Sequence, residues 1–259
     1  INDFVEGRPT LIFVHGLSGS SSAWKKYEEK FLNKYNILSY DLLGHGKSNK
    51  PKSYKSYEMS KFSSDLGALL EYLKIKRCIL VSHSFATLIV LEFLATLPEN
   101  VEASIFLSAS YSVKNRIISR ILKPVFQLSR AMGVLPFSEK SGTHIDYSKY
   151  RNTGDWNIPR MIADVGNTTP RVYFYCTLQS YSVDKGDFLS HVKIPVLLVH
   201  GKKDTIFPVG NSIFMNKKIQ DSELVLVDEA DHIVVLNNFE EVSAAIEQFV
   251  DKKRALKHD

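Results

Sequence analysis

One stretch of the 259-residue chain runs from an apolar segment straight into a helical pattern through a serine: Ile79-Leu80-Val81-Ser82-His83-Ser84-Phe85-Ala86. A serine hydroxyl is a weak nucleophile at neutral pH. It needs a base within hydrogen-bond reach, and the base needs a carboxylate to hold its tautomer. A sharp strand-to-helix turn can present such a serine only if the residues two before and two after it are small, since both press on neighbouring backbone. Ser82 and Ala86 meet that demand around Ser84. Gly19-Ser20-Ser21-Ser22-Ala23 has the same spacing, but no strand leads directly into it and it reads as a helix cap.

For the base, His232 stands in Ala230-Asp231-His232-Ile233, after the apolar run Leu224 to Val227 and before the last helical pattern. For the carboxylate, Asp204 follows the run Val196 to Val199 in His200-Gly201-Lys202-Lys203-Asp204. Both positions fall just past strand ends, where open parallel sheets place their sites. Asp228 and Asp231 are nearer to His232 in sequence, but Asp231 adjoins it and cannot easily reach back to its ring. The residues after Ala103 to Leu107, namely Ser108, Ala109 and Ser110, offer no acid. Asp204 is therefore the expected partner. An acyl-transfer intermediate also needs backbone donors for its oxyanion. Phe85 N–H, opening the helix after Ser84, is one candidate. Leu17 N–H, in Val14-His15-Gly16-Leu17 where Gly16 allows a tight turn, is the other.

Elements must hold these residues in place. Apolar, β-branched runs recur at residues 10–14, 36–40, 78–81, 103–107, 196–199 and 224–227, as strands buried on both faces do. Helical patterns at 22–32, 59–73, 84–97, 209–218 and 239–252 alternate with them, which predicts an α/β fold. The alternation fails from Tyr111 to Asp187. There short helices are expected at 117–128, 158–163 and 172–181, punctuated by Pro124, Pro136, Pro159 and Pro170. The expected division is a core of residues 1–110 and 188–259 with a helical insertion at 111–187.

Composition sets the outer limits. With 44% hydrophobic and 24% charged residues, the chain is an ordinary globular sequence rather than a disordered one. The net charge of +5 lies wholly in the insertion, which holds eleven basic against six acidic residues and leaves 22 of each elsewhere. Two cysteines, Cys78 and Cys176, make no disulfide framework and are expected free and buried. No zinc-ligand spacing and no GxxxxGK[ST] or GxGxxG loop occurs, so no metal, cofactor or nucleic-acid partner is expected. No apolar run approaches the roughly 18 residues of a membrane span, and Ile1 to Glu6 lack a signal-like core. A soluble, cytoplasmic protein is expected, although a leader or a first strand could precede Ile1.

Five motifs occur in a telling order: His15-Gly16, Asp41-Leu42-Leu43-Gly44-His45-Gly46-Lys47-Ser48, Ser82-His83-Ser84, Gly201-Lys202-Lys203-Asp204, and His232 before a helix bearing Glu240 and Val242. In that order the chain resembles the α/β-hydrolase superfamily from Arg8 to Val250. The resemblance implies a mostly parallel central sheet flanked by helices, a helical lid inserted after the strand near 103–107, Ser84, Asp204 and His232 as the triad, and Leu17 and Phe85 as oxyanion donors. It also implies that Asp41 to Ser48 is a structural turn, so Asp41 and His45 are not nominated. The chain departs from the pattern at Ser82, Ala86 and Thr87, where glycine is usual.

Ser84 argues against members with an aspartate nucleophile, the dehalogenases and epoxide hydrolases. Cleavage of a carboxylic ester with a hydrophobic acyl part is the leading expectation, on a small-molecule ester substrate. A C–C or amide hydrolase, or a binding protein on the same fold, are the alternatives. In the first insertion helix, Ile117, Ile118, Ile121, Leu122, Val125 and Phe126 alternate with Arg116, Arg120 and Lys123. That pattern suggests an apolar face over an acyl pocket and a basic face toward an anionic substrate, an acidic acyl carrier or a membrane surface.

Overall fold

The computed structural model of the chain describes residues 4–96, 98–113 and 142–255. Six strands, β1 (Thr10–Val14), β2 (Asn36–Tyr40), β3 (Cys78–His83), β4 (Val101–Leu107), β5 (Val196–Gly201) and β6 (Ser222–Val227), form one sheet. Their order is β2-β1-β3-β4-β5-β6, and every neighbouring pair is parallel. Parallel neighbours need crossovers, and helices supply them. These are α1 (Lys25–Phe31), α2 (Met59–Tyr72), α3 (Phe85–Leu94), α4 (Ile158–Thr168), α5 (Pro170–Ser180) and α6 (Gly210–Lys218); a last helix, α7 (Phe239–Ala255), follows β6 and packs on the sheet.

Side chains alternate across each strand, so both faces of the sheet must be covered. Ile12 and Val14 join Phe62, Leu66 and Leu88 in one cluster, whereas Leu11 and Phe13 join Trp24, Tyr27 and Phe249 in the other. Burying an aliphatic or aromatic side chain of this kind stabilises by about 1.5–3 kcal/mol, and the two layers together hold the scaffold rigid. Helix α3 lies inside this packing. All its residues are buried except Glu92, which reaches out to Lys185 Nζ at 2.6 Å.

Several strands run further than their apolar runs. Pairing continues through Ser82 and His83 in β3 and through His200 and Gly201 in β5. A hydrophobic run stops at the first polar side chain, but backbone hydrogen bonding does not. Those extra polar residues stand at the carboxyl ends of the strands, beside Ser84 and Asp204.

The segment between β4 and β5 closes on itself at its base. Ser112 bridges Asp184 in antiparallel fashion, and Lys185 N–H donates to the Tyr111 carbonyl at 2.9 Å. Within it, α4 and α5 each have proline in the first turn, and Asn157 accepts the Arg160 N–H at 2.9 Å as a cap. Helix α4 outruns the expected 158–163 by five residues, because tertiary packing overrides the weak propensities of Gly166 and Asn167. It buries Arg160, Asp164 and Thr168, while Ile158 and Ile162 are each 67% exposed. The expected helix at 117–128, with Arg116, Arg120 and Lys123, lies outside the described residues. Cys78 and Cys176 are free and buried, and burial pushes the Cys78 thiol up to about 12. Among the described residues no helix is long and apolar enough to cross a membrane.

Candidate active site

Ser84 sits where β3 turns into α3, with φ 55° and ψ −120°. Side chains seldom adopt this left-handed backbone, so the surroundings must enforce it. Ser84 N–H donates to Leu107 O at 3.0 Å, and Thr87 Oγ1 donates to Ser84 O at 2.6 Å. Thr87 thus contributes a hydrogen bond at a position where the resemblance leads one to expect glycine. Ser82 and Ala86 are fully buried, as their closeness to the turn requires.

The three residues singled out from the sequence meet here. His232 Nε2 lies 2.7 Å from Ser84 Oγ, and His232 Nδ1 lies 2.8 Å from Asp204 Oδ2. An ionised carboxylate only accepts, so Nδ1 carries the proton and Nε2 offers its lone pair to the serine hydroxyl. Burial alone would raise the Asp204 carboxyl. Hydrogen bonds from His200 and His232, the charge of His232 and the Phe207 N–H outweigh it and hold the group well below the usual carboxylate range. Its Oδ1 accepts from Ile206 N–H at 2.9 Å and Phe207 N–H at 2.7 Å. The rival acids are engaged elsewhere. Asp228 pairs with Lys202 at 2.6 Å on the surface, and Asp231 accepts the Ile233 N–H at 2.9 Å within its own loop.

Two glycines permit the approach. A Cβ on Gly201 would fall 2.3 Å from Ala230 O and 2.5 Å from Asp231 O, so only glycine lets the end of β5 abut the loop bearing His232. A Cβ on Gly16 would lie 3.0 Å from His83 Nδ1 and 3.3 Å from Ser84 Cβ, which brings the turn carrying Leu17 against the serine. Leu17 and Phe85 both border the cavity in front of Ser84, and Phe85 N–H, the first of α3, has no intrahelical acceptor.

Three further residues, not foreseen from the sequence, hold this constellation. His200 is fully buried; its Nε2–H faces Asp204 Oδ2 at 3.1 Å and Phe207 O at 3.0 Å, and its Nδ1 accepts from Ser212 Oγ at 2.7 Å. His83 Nε2–H donates to the His232 carbonyl at 2.9 Å, with the two rings 5.1 Å apart. Burial, assisted by His232, pushes His83 down to about 3, so it remains a neutral donor. Asp155 accepts the His232 N–H at 2.7 Å. The two histidines could have been noticed as polar ends of apolar runs, whereas nothing in the sequence around Asp155 points to the site.

The sequence 41–48 forms a turn whose polar groups serve one another. Asp41 accepts N–H bonds from Ser21 at 2.7 Å and Lys47 at 2.8 Å, and His15 Nε2 accepts the Leu42 N–H at 3.0 Å. Asp41 also meets His144 Nε2 of the inserted segment at 3.0 Å.

A cavity of about 280 Å³ opens in front of Ser84. The core lines it with Leu17, Trp24, Leu88, Val235 and Leu236, and the inserted segment adds Met161 and Val165. Polar groups on that far side bond one another, with the buried Arg160 Nε left without a partner among the described residues. Tyr147 OH donates to Asp164 Oδ1 at 2.9 Å, and Arg160 joins Asp164 Oδ2 at 3.3 Å and the Asp155 carbonyl at 2.7 Å. Burial pushes Asp164 up to about 6 against the opposing pull of Tyr147 and Arg160.

A doubly covered parallel sheet with a strained serine at a strand end defines a class of protein. The model of the α/β-hydrolase fold family matches residues 9–239, and the chain belongs to that family of hydrolases. Among curated relatives, 3-oxoadipate enol-lactonase 2 of Acinetobacter baylyi is 25% identical over 226 residues, covering 87% of this chain and 82% of the relative. Among solved structures, a thermophilic esterase from Thermogutta terrifontis is similar at a TM-score of 0.75 and 19% identity, over 94% of this chain and 90% of that one. The enol-lactonase from Burkholderia xenovorans LB400 gives a TM-score of 0.74 at 20% identity, over 95% and 92%.

Proposed function

We propose that the chain is a serine hydrolase that cleaves a carboxylic ester with a hydrophobic acyl part. The observation that carries this reading is the unbroken hydrogen-bonded line from Ser84 Oγ through His232 to Asp204 at the edge of a mainly apolar cavity. His232 takes the Ser84 proton as the oxygen attacks the ester carbonyl, and the N–H groups of Leu17 and Phe85 receive the oxyanion. His232 then gives the proton to the leaving alcohol, which leaves an acyl-enzyme. Water, deprotonated by the same imidazole, releases the acid and restores the serine. Asp204, held ionised, steadies the imidazolium formed in each half.

On this reading the inserted segment at 111–187 is the lid of the acyl pocket. The names of the similar proteins, esterase and enol-lactonase, support open or cyclic esters as the substrate class. The test is turnover of chromogenic esters of graded acyl length, together with labelling by a serine-directed fluorophosphonate. Ser84→Ala is expected to lose activity by about 10⁴-fold or more and to resist labelling. Full activity in that variant overturns the assignment.

A further inference from the structure

We propose that Asp155, delivered by the inserted segment, is a positioning residue for the triad: its one carboxylate ties the loop carrying His232 to the loop carrying Asp204. The inference rests on the triad reading above. Asp155 Oδ1 accepts the His232 N–H at 2.7 Å. Its Oδ2 accepts the N–H of Thr205 at 2.9 Å and the Thr205 hydroxyl at 2.6 Å. Thr205 directly follows Asp204, so each oxygen holds one of the two loops whose separation sets the His232–Asp204 hydrogen bond.

The carboxylate is itself anchored. The Asp155 carbonyl accepts from Arg160 Nη2 at 2.7 Å, and the neighbouring Trp156 donates from Nε1 to Thr205 Oγ1 at 3.0 Å. The Thr205 hydroxyl therefore accepts from Trp156 while it donates to Asp155. Asp155 is 6% exposed and His232 is 4% exposed, so water is a poor substitute at this contact. Trp156 and Arg160 border the cavity. A substrate that presses on the inserted segment is thus one residue away from the backbone of His232, and the competence of the triad depends on how that segment is seated.

The test is Asp155→Asn, which keeps the shape but puts an NH₂ where an acceptor is required. Its expected effect is a fall on the order of 10²-fold in kcat and in fluorophosphonate labelling rate, with KM little changed. Thr205→Val, which deletes the hydroxyl's hydrogen bonds to Asp155 and from Trp156 but keeps the Thr205 N–H contact, should lose less; it carries the test if the asparagine variant does not fold. Proton NMR of the His232 Nδ1–H reads the same geometry without turnover. That resonance should shift and broaden in either variant relative to the wild type. Wild-type labelling and an unaltered resonance would overturn the inference. A loss of activity that merely follows a fall in thermal midpoint, with the resonance unchanged, would also overturn it. If the wild type itself is not labelled, the triad reading fails, and the resonance still reports whether Asp155 positions His232.

Discussion

The sheet core and helix α4 of the inserted segment are held in opposite ways, whereas helix α5 of that segment adds Val172, Tyr175 and Cys176 to the apolar core. In the core, strands β1 and β3 are buried along their whole length and α3 buries all but one residue, so apolar contact supplies the cohesion. Helix α4 of the inserted segment turns Arg160, Asp164 and Thr168 inward and leaves Ile158 and Ile162 to solvent. Its seating, with that of the residues before it, depends on hydrogen bonds, among them Thr168 Oγ1 to Ser18 O at 3.2 Å, His144 to Asp41, and Asp155 to the loops that carry His232 and Asp204. Apolar packing is nondirectional and tolerant of small shifts, whereas buried polar contacts are directional and fail when one partner is lost. The apolar core should therefore decide whether the chain folds, and the hydrogen-bonded part of the inserted segment whether the site is in register.

That contrast can be broken by experiment. The largest effect should come from Ser84→Ala, which removes activity while leaving the denaturation midpoint near the wild-type value. Next is Phe106→Ala in β4, where a side chain with no exposure is deleted. It should cost about 3–5 kcal/mol in denaturant unfolding, through lost burial and the cavity left behind. A loss no larger than that of a surface substitution would show that the core is not what limits stability.

A smaller effect, dependent on pH, belongs to Asp164. Its folded pKa is raised to about 6, against about 3.9 for an ordinary aspartate. Between these values the folded chain keeps a proton that the unfolded chain has lost. Stability therefore falls as pH rises through that window, and the cost is complete above about pH 6. Asp164→Asn cannot ionise, so its thermal midpoint should decline less than the wild type's between about pH 4 and pH 7. Parallel curves would mean that the buried acid is already relieved in the wild type. The smallest effect should be that of Ile158→Ser with Ile162→Ser. These are exposed side chains, and each change should stay within about 0.5 kcal/mol. A large loss of stability there would make the outer face of α4 part of the packed structure and erase the contrast.

The legibility of the sequence followed the same division. The runs at 10–14, 36–40, 78–81 and 196–199 lie within observed strands, and the residues just past the ends of the first, third and fourth converge on the site. Ser84 was legible because a strained turn demands small neighbours, and Asp204 because the other acids were too close to His232 or absent. The described part of the insertion was less legible. A helix that buries arginine and aspartate gives the period of a helix but points to the wrong face.

The sequence by itself determined the order of strands and helices, the parallel layer they build, and the identity of the serine, histidine and aspartate that meet at its edge. These follow from local rules: side-chain alternation, turn sterics, and the need of a hydroxyl for a base. Only the tertiary structure decided which groups hold those three in place. Asp155 stands 77 residues from His232 along the chain, and His83 faces the His232 carbonyl across 149. A hydrogen bond over such a separation leaves no local pattern, because its geometry exists only after the sheet and the inserted segment have packed against each other.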